Sequence, residues 1–114
     1  FKGAKLYSCD IDNHRVESAR KMLPDAIIVN GTSDELAKAV QESPNLIFID
    51  GDHSYYWAHR DWVNMKGLVR GDCLCVFHDV NNINPGVCNL MRELGAFVLP
   101  TTFGMGFVMI KAVT

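Results

Sequence analysis

The stretch LIFIDGDHSYYWAHRDW, residues 46–62, decides both the fold and the place of its chemistry. Four apolar residues run straight into Asp50-Gly51-Asp52-His53, and an aromatic-rich segment follows. An unbroken apolar run of this length is expected of a strand covered on both faces. Past the cluster, Tyr55, Ala58, Trp62, Met65 and Val69 recur at spacings of three and four, which lays one apolar stripe along a helix. The same spacing makes Tyr55 and Trp62 core residues. Tyr56 and Trp57 fall off the stripe, where they either face solvent or wall a pocket by stacking.

The pattern repeats on either side. KLYSCD (5–10) reads as a strand, and Asp12 or Asn13 caps a helix reaching about Leu23, where Pro24 stops it. AIIV (26–29) is a short strand. Thr32-Ser33-Asp34-Glu35 has the capping-box pattern and opens a helix to about Glu42. CLCVF (73–77) is a further buried strand, and Gly71 precedes it. Asn84-Pro85 reads as a cap followed by a first-turn proline, opening a helix that Gly95 closes. AFVL (96–99) and GFVMIKA (106–112) are adjacent strands without a helix between them, and so antiparallel. Alternation of this kind predicts an α/β fold: a three-layer open sandwich, mostly parallel, with an antiparallel strand at the C-terminal end.

Composition narrows the function. A chain of 114 residues is expected to be a single domain, and 48% hydrophobic residues suffice for a core. A net charge of −2 gives no pull on a polyanion, so nucleic acid is not an expected partner. No run of 18 apolar residues occurs and the first residues lack an apolar signal core, so the expected setting is cytoplasmic with no membrane partner. A start at Phe1 and not at Met suggests a longer gene product. Cys9, Cys73, Cys75 and Cys88 show neither redox nor zinc spacing and read as plain thiols, Cys73 and Cys75 on one face of a strand.

In open parallel sheets ligands bind beyond the carboxyl ends of the strands. Four such ends carry polar groups here: Cys9-Asp10-Ile11-Asp12, Asn30-Gly31-Thr32-Ser33, Asp50-Gly51-Asp52-His53 and His78-Asp79. Each has a plain reading beside a chemical one. Asp10 and Asp12 start a helix, or Asp10 accepts from the diol of a ribose. Asn30 to Ser33 cap a helix. Asp50 to His53 form an Asp-Gly turn with a cap at Asp52 or Ser54. Together with His78-Asp79 they instead hold a hard divalent ion or set a base beside a bound hydroxyl. His14 and His59 lie on helix faces and read as solvated.

FIDGDHSY followed by a helix, then GDCLCVFHDV, then the late GFVMIKA strand, resembles the class I S-adenosylmethionine-dependent methyltransferases. Within them the chain is most similar to the small-molecule O-methyltransferase branch with IDGDHSY and FHDV at strand ends. YSCDID resembles that fold's second strand, and the likeness runs from about residue 4 to 112. The resemblance implies a Rossmann-like sheet, S-adenosylmethionine as cofactor and a small-molecule methyl acceptor. It implies that Asp10 takes the ribose hydroxyls, that Gly31, Thr32 and Ser33 edge the adenine, and that Asp50 meets the methionine end or a metal. His53 or Asp52 becomes the general base. Asp50, His78 and Asp79 become the ligands of a divalent metal such as magnesium, although metal-using members carry Asp-Asp or Asp-Asn where this chain has His78-Asp79.

The family's first strand and its glycine-rich loop have no counterpart. The one GxG, Gly104-Met105-Gly106, precedes a strand and not a helix. In the family's order the absent strand is central, so its loss leaves two edges unpaired. Three outcomes are open: the strands close up, a second copy covers the gap in a homo-oligomer, or the protein continues upstream. The corresponding alternative to an enzyme is a non-catalytic, methyltransferase-like module that self-associates or binds a partner through exposed sheet edges. A metal-dependent enzyme of another class is the third reading.

Overall fold

The structure is a computed structural model and describes residues 3–112. It divides into two compact units, one up to Glu42 and one from Ser43 onward. The first consists of β1 (Tyr7–Asp10), α1 (Asn13–Met22), β2 (Ile27–Asn30) and α2 (Ser33–Ala39). β1 and β2 pair in parallel with Asp10 opposite Asn30, so their carboxyl ends lie side by side. Local chemistry sets the helix starts. The Asp12 carboxylate accepts from the His14 and Arg15 amides, and the Thr32–Glu35 capping box is complete. Val16, Ile28 and Leu36 are the buried apolar residues of this unit.

The second unit runs β3 (Leu46–Ile49), α3 (Tyr55–Lys66), β4 (Cys73–His78), α4 (Pro85–Leu94), β5 (Phe97–Leu99) and β6 (Met105–Ile110). Its sheet has the order β3-β4-β6-β5. β3 and β4 are parallel, while β6 is antiparallel to both β4 and β5. The expected alternation and the antiparallel final pair are therefore present. Among the described residues the strands form two sheets, β1-β2 in the first unit and β3-β4-β6-β5 in the second.

Alternation along the strands fixes which side chains share a face. Ile47, Ile49, Cys73, Cys75 and Phe77 point to one side and are buried with Trp62, Met65, Leu90 and Met91 of the helices. Trp62 packs on Phe77 with ring centroids 5.9 Å apart. Gly106, the partner of Phe77, sits under Met91, where a Cβ would collide with the sulfur. The opposite face is built by Leu46, Phe48, Phe97, Leu99 and Met109, all exposed. Phe48 is 57% exposed and Phe97 66%. This corrects the expectation that residues 46–49 are covered on both faces, because in this unit α3 and α4 cover one face only.

Two smaller expectations change. Tyr55 lies at the rim of the stripe and is exposed, its hydroxyl donating to Glu93 Oε2 at 2.7 Å. Asn84 makes no side-chain cap to α4 and spends its amide elsewhere. The cysteines behave as expected: Cys9, Cys73, Cys75 and Cys88 are free thiols. Burial, with the neighbouring Cys73 adding to it, pushes the Cys75 thiol up to about 12.

Candidate active site

The carboxyl ends of β3 and β4 are adjacent because the strands are parallel and in register, Ile49 opposite Phe77. Asp50 and His78-Asp79 therefore emerge side by side, and the turn after β3 carries His53 back over them. His78 Nδ1 is 3.2 Å from Asp50 Oδ1 and 3.2 Å from Asp79 Oδ1. One ring nitrogen thus stands between two carboxyl groups. His53 Nε2 is 2.9 Å from Asp79 Oδ2, yet the two are not aligned as a hydrogen bond. Nε2 is thus a buried nitrogen beside a carboxylate with its hydrogen-bonding capacity unspent. Its distance is that of a close ion pair, its direction is not, and the contact fixes proximity only.

Asp79 is the hinge of the arrangement. Its φ of 59° makes it the one non-glycine residue with positive φ among the described residues. Aspartate tolerates this region better than most side chains, but such outliers cost about 1–3 kcal/mol and persist only where the surroundings enforce them. Here the enforcement is visible. The Asn84 side-chain amide donates to the Asp79 carbonyl at 3.1 Å, and the Val80 N–H donates to the Gly104 carbonyl at 3.2 Å. Asn81 Nδ2 donates to the Phe103 carbonyl at 2.7 Å. Gly104 is itself at φ 78°, and a Cβ there would collide with the Val80 carbonyl. One carboxylate is thereby presented to two imidazoles.

Asp52 stands apart. Its Oδ1 accepts from the Ser54 amide at 2.8 Å, which holds the carboxyl below its ordinary range. Ser54 in turn caps α3 by accepting from the Trp57 amide at 3.3 Å. The plain turn-and-cap reading is what the structure gives for this residue. A carboxylate so engaged is a weak base. The metal set expected from the resemblance is Asp50, His78 and Asp79. The donor atoms that gather within 4.8 Å of one another belong to Asp50, His53 and Asp79. His78 instead bridges the two carboxylates. A space of about 10 Å³, the size of one water, is lined by Asp50, Asp52, His53, Phe77 and His78 and does not reach Asp79.

In the first unit, Asp10 Oδ1 accepts from the Asp12 amide at 2.8 Å, and Oδ2 faces Arg15 at 3.8 Å. Thr32 Oγ1 and the Thr32 amide both engage Glu35 Oε2, at 2.6 and 2.9 Å. Ser33 is buried, and the Gly31 N–H donates to the Asp10 carbonyl at 3.0 Å. These residues are brought together at one strand end. The Asp10 and Thr32 side-chain bonds are local and shape the turns, and the Gly31 N–H joins the two strand ends.

Sequence reasoning missed Gly86 and Gly104, whose lack of a side chain permits close backbone approach, and the tie from Asn84 to Asp79. Each acts across a loop, with no spacing pattern to betray it. His14 and His59 are exposed as expected, His59 stacked on Tyr55 at 5.5 Å. Tyr56 and Trp57 sit beside Arg60, which stands over both rings.

Comparisons with known proteins agree with this layout. The fold is shared with a Klebsiella pneumoniae protein provisionally classed as an O-methyltransferase, at TM-score 0.76 and 19% identity, covering 96% of this chain and 63% of that one. It is shared with the O-methyltransferase from Bacillus cereus in complex with SAH, at TM-score 0.76 and 15% identity, covering 96% and 64%. An rRNA methylase from Streptococcus thermophilus gives TM-score 0.68 and 11% identity, covering 96% and 74%. At these identities the likeness concerns the fold, and the chain spans under two thirds of the first two proteins. A search of curated proteins gave no match. A family model described as a methyltransferase domain matches residues 2–80, from the N-terminal residues through β1 and β3 to the end of β4. The chain belongs to the methyltransferase-domain family.

Proposed function

We propose that this chain is the catalytic part of an S-adenosylmethionine-dependent methyltransferase acting on a hydroxyl oxygen of a small molecule, with His53 as general base. The observation that carries the reading is the pairing of His53 with Asp79 at the carboxyl ends of β3 and β4, in a chain of this family. The cofactor supplies a methyl group on a sulfonium. His53 accepts the proton of the acceptor hydroxyl, and the Asp79 carboxylate at 2.9 Å stabilises the positive charge that forms on the ring. Asp50 holds His78, whose ring stands beside Asp79 from the other side. In the first unit Asp10 is the proposed acceptor for ribose hydroxyls, with Gly31, Thr32 and Ser33 as adenine contacts. For Asp10 this requires Arg15 to yield, since it now faces the free carboxylate oxygen.

Titration calorimetry of the folded protein with S-adenosylhomocysteine tests the cofactor. Binding at one site per chain is expected, and absence of heat even at millimolar ligand ends this reading. His53→Ala should then reduce transfer about 10²–10⁴-fold, the usual share of a general base.

One observation favours a second reading, in which the cluster holds a metal. The unspent His53 nitrogen and the Asp50 and Asp79 carboxylates fit a divalent ion, and a mixed imidazole–carboxylate set suits manganese or zinc better than magnesium. Such an ion would act as a Lewis acid on a bound hydroxyl, and His53 would then be a ligand and not a base. A rise in melting temperature with manganese or zinc that disappears in His53→Ala supports it, and an unchanged melting temperature removes it.

A further inference from the structure

The separation of His53 from Asp79 is set by neither residue's own strand. His53 lies in the turn after β3 and Asp79 at the end of β4, and both backbones meet the first turn of α4. On one side, the Asn84 amide is diverted from capping its own helix and donates to the Asp79 carbonyl at 3.1 Å. On the other side, Gly86 lies flat against the turn carrying His53. A Cβ at Gly86 would stand 2.5 Å from the Tyr55 nitrogen, 3.0 Å from the His53 carbonyl oxygen and 3.1 Å from the Ser54 carbonyl carbon. All three atoms are backbone, so no side-chain rotation relieves the clash, and any side chain at 86 drives the turn away from α4. Pro85 between the two residues fixes φ and makes the turn stiff.

We propose that the first turn of α4, through Asn84 and Gly86, is a positioning device that holds the His53 ring within reach of Asp79. It is a spacer between two loops, one residue gripping each. The consequence for catalysis rests on the methyltransferase reading above; the consequence for the geometry does not.

The test uses the whole protein, observing the His53 ring resonances by NMR at one fixed pH without ligand, with Asp79→Asn as the reference for a His53 that has lost its partner. Gly86→Ala is expected to move the ring signals toward that reference. Gly71→Ala, at a position where a Cβ meets nothing within 4 Å, is expected to leave them in place. In the transfer assay Gly86→Ala should lower kcat on the order of 100-fold while the KM for cofactor stays within about twofold, as displacement of a catalytic group predicts. Should Gly86→Ala not fold, Asn84→Ala removes the other grip without a clash and should move the same signals. Ring signals of a folded Gly86→Ala or Asn84→Ala protein that coincide with the parent's would overturn the proposal, whatever the activity. Displaced signals in the variants of a parent protein that itself transfers no methyl group would uphold the spacer and count against the methyltransferase reading alone.

Discussion

The two units end their parallel strands in similar residues and use them differently. At the rim of the first unit, Asp10 and Thr32 spend their polar atoms on their own turns, and Asn30 ties the two strand ends together through backbone carbonyls. Asp10 accepts from an amide two residues on, Thr32 closes a box with Glu35, and Asn30 donates to the Asp10 and Ile11 carbonyls. At the rim of the second unit, Asp50, His53, His78 and Asp79 face one another across residues far apart in sequence, with one nitrogen left unspent. A carboxylate satisfied by neighbouring amides stabilises a loop. A carboxylate satisfied by an imidazole from another strand can exchange a proton. The second rim thus gathers imidazoles with carboxylates, while the first is built of carboxylate, hydroxyl and amide groups bound mainly to backbone.

The strongest way to break this comparison is to exchange charge for amide at the second rim. Asp79→Asn keeps the shape of the side chain but cannot stabilise a charged His53 ring, so transfer should fall by about 10²-fold or more. The melting temperature should change little, because the residue is at the surface end of its strand. The same exchange at Asp52 is the control. Asn still accepts from the Ser54 amide, so a transfer rate within about twofold of the parent is expected of Asp52→Asn if that carboxylate only shapes the turn. A loss like that of Asp79→Asn would return Asp52 to the candidate bases.

A second contrast lies within the second unit, between the two faces of its sheet. Phe77 is 1% exposed under α3 and α4, and Phe48, one strand over on the opposite face, is 57% exposed. Phe77→Ala should cost about 3–5 kcal/mol of stability, and Phe48→Ala should stay within about 0.5 kcal/mol of the parent. Chemical unfolding of both variants checks it. If Phe48→Ala costs as much as Phe77→Ala, the outer face is covered in solution, and a second copy or further chain covers it.

The pattern of elements was readable because it rests on local rules: the 3-and-4 spacing of Ala58, Trp62 and Met65, the Thr32–Glu35 box, Gly95 in the left-handed conformation that ends α4. The run LIFI misled for a physical reason. An apolar run states that a strand can be buried on both faces, while burial depends on a partner layer that the strand does not encode. The candidate residues were readable in the same partial way. Asp50, His53, His78 and Asp79 announce themselves by type at strand ends. That Asp52 is spent on a turn is local and was among the readings the sequence offered, whereas the closeness of His53 to Asp79 goes with a twist at Asp79 and with contacts of Asn84, Gly86 and Gly104. A contact between loops leaves no period in the sequence.

The smallest effect belongs to the first unit and depends on pH. Hydrogen bonds from the Thr32 hydroxyl and then the Thr32 amide hold the Glu35 carboxyl below its ordinary value of 4.5. A group whose pKa is depressed by folding stabilises the folded state above its unfolded pKa and loses that contribution as pH falls through the folded one. The start of α2 should therefore be fully held at neutral pH and loosen as pH falls below about 4.5. The Thr32 amide resonance is the reporter, since its donor bond to Glu35 disappears on protonation. In Glu35→Gln the box survives without a charge, and the Thr32 shift should become independent of pH over that range. Thr32→Ala removes the cap and should cost about 1 kcal/mol at neutral pH. If the Thr32 resonance titrates as strongly in Glu35→Gln as in the parent, the charge acting on it comes from another group, with Asp34 next in line. The first rim would then be electrostatically coupled beyond its own turns, and the contrast between the two rims would narrow.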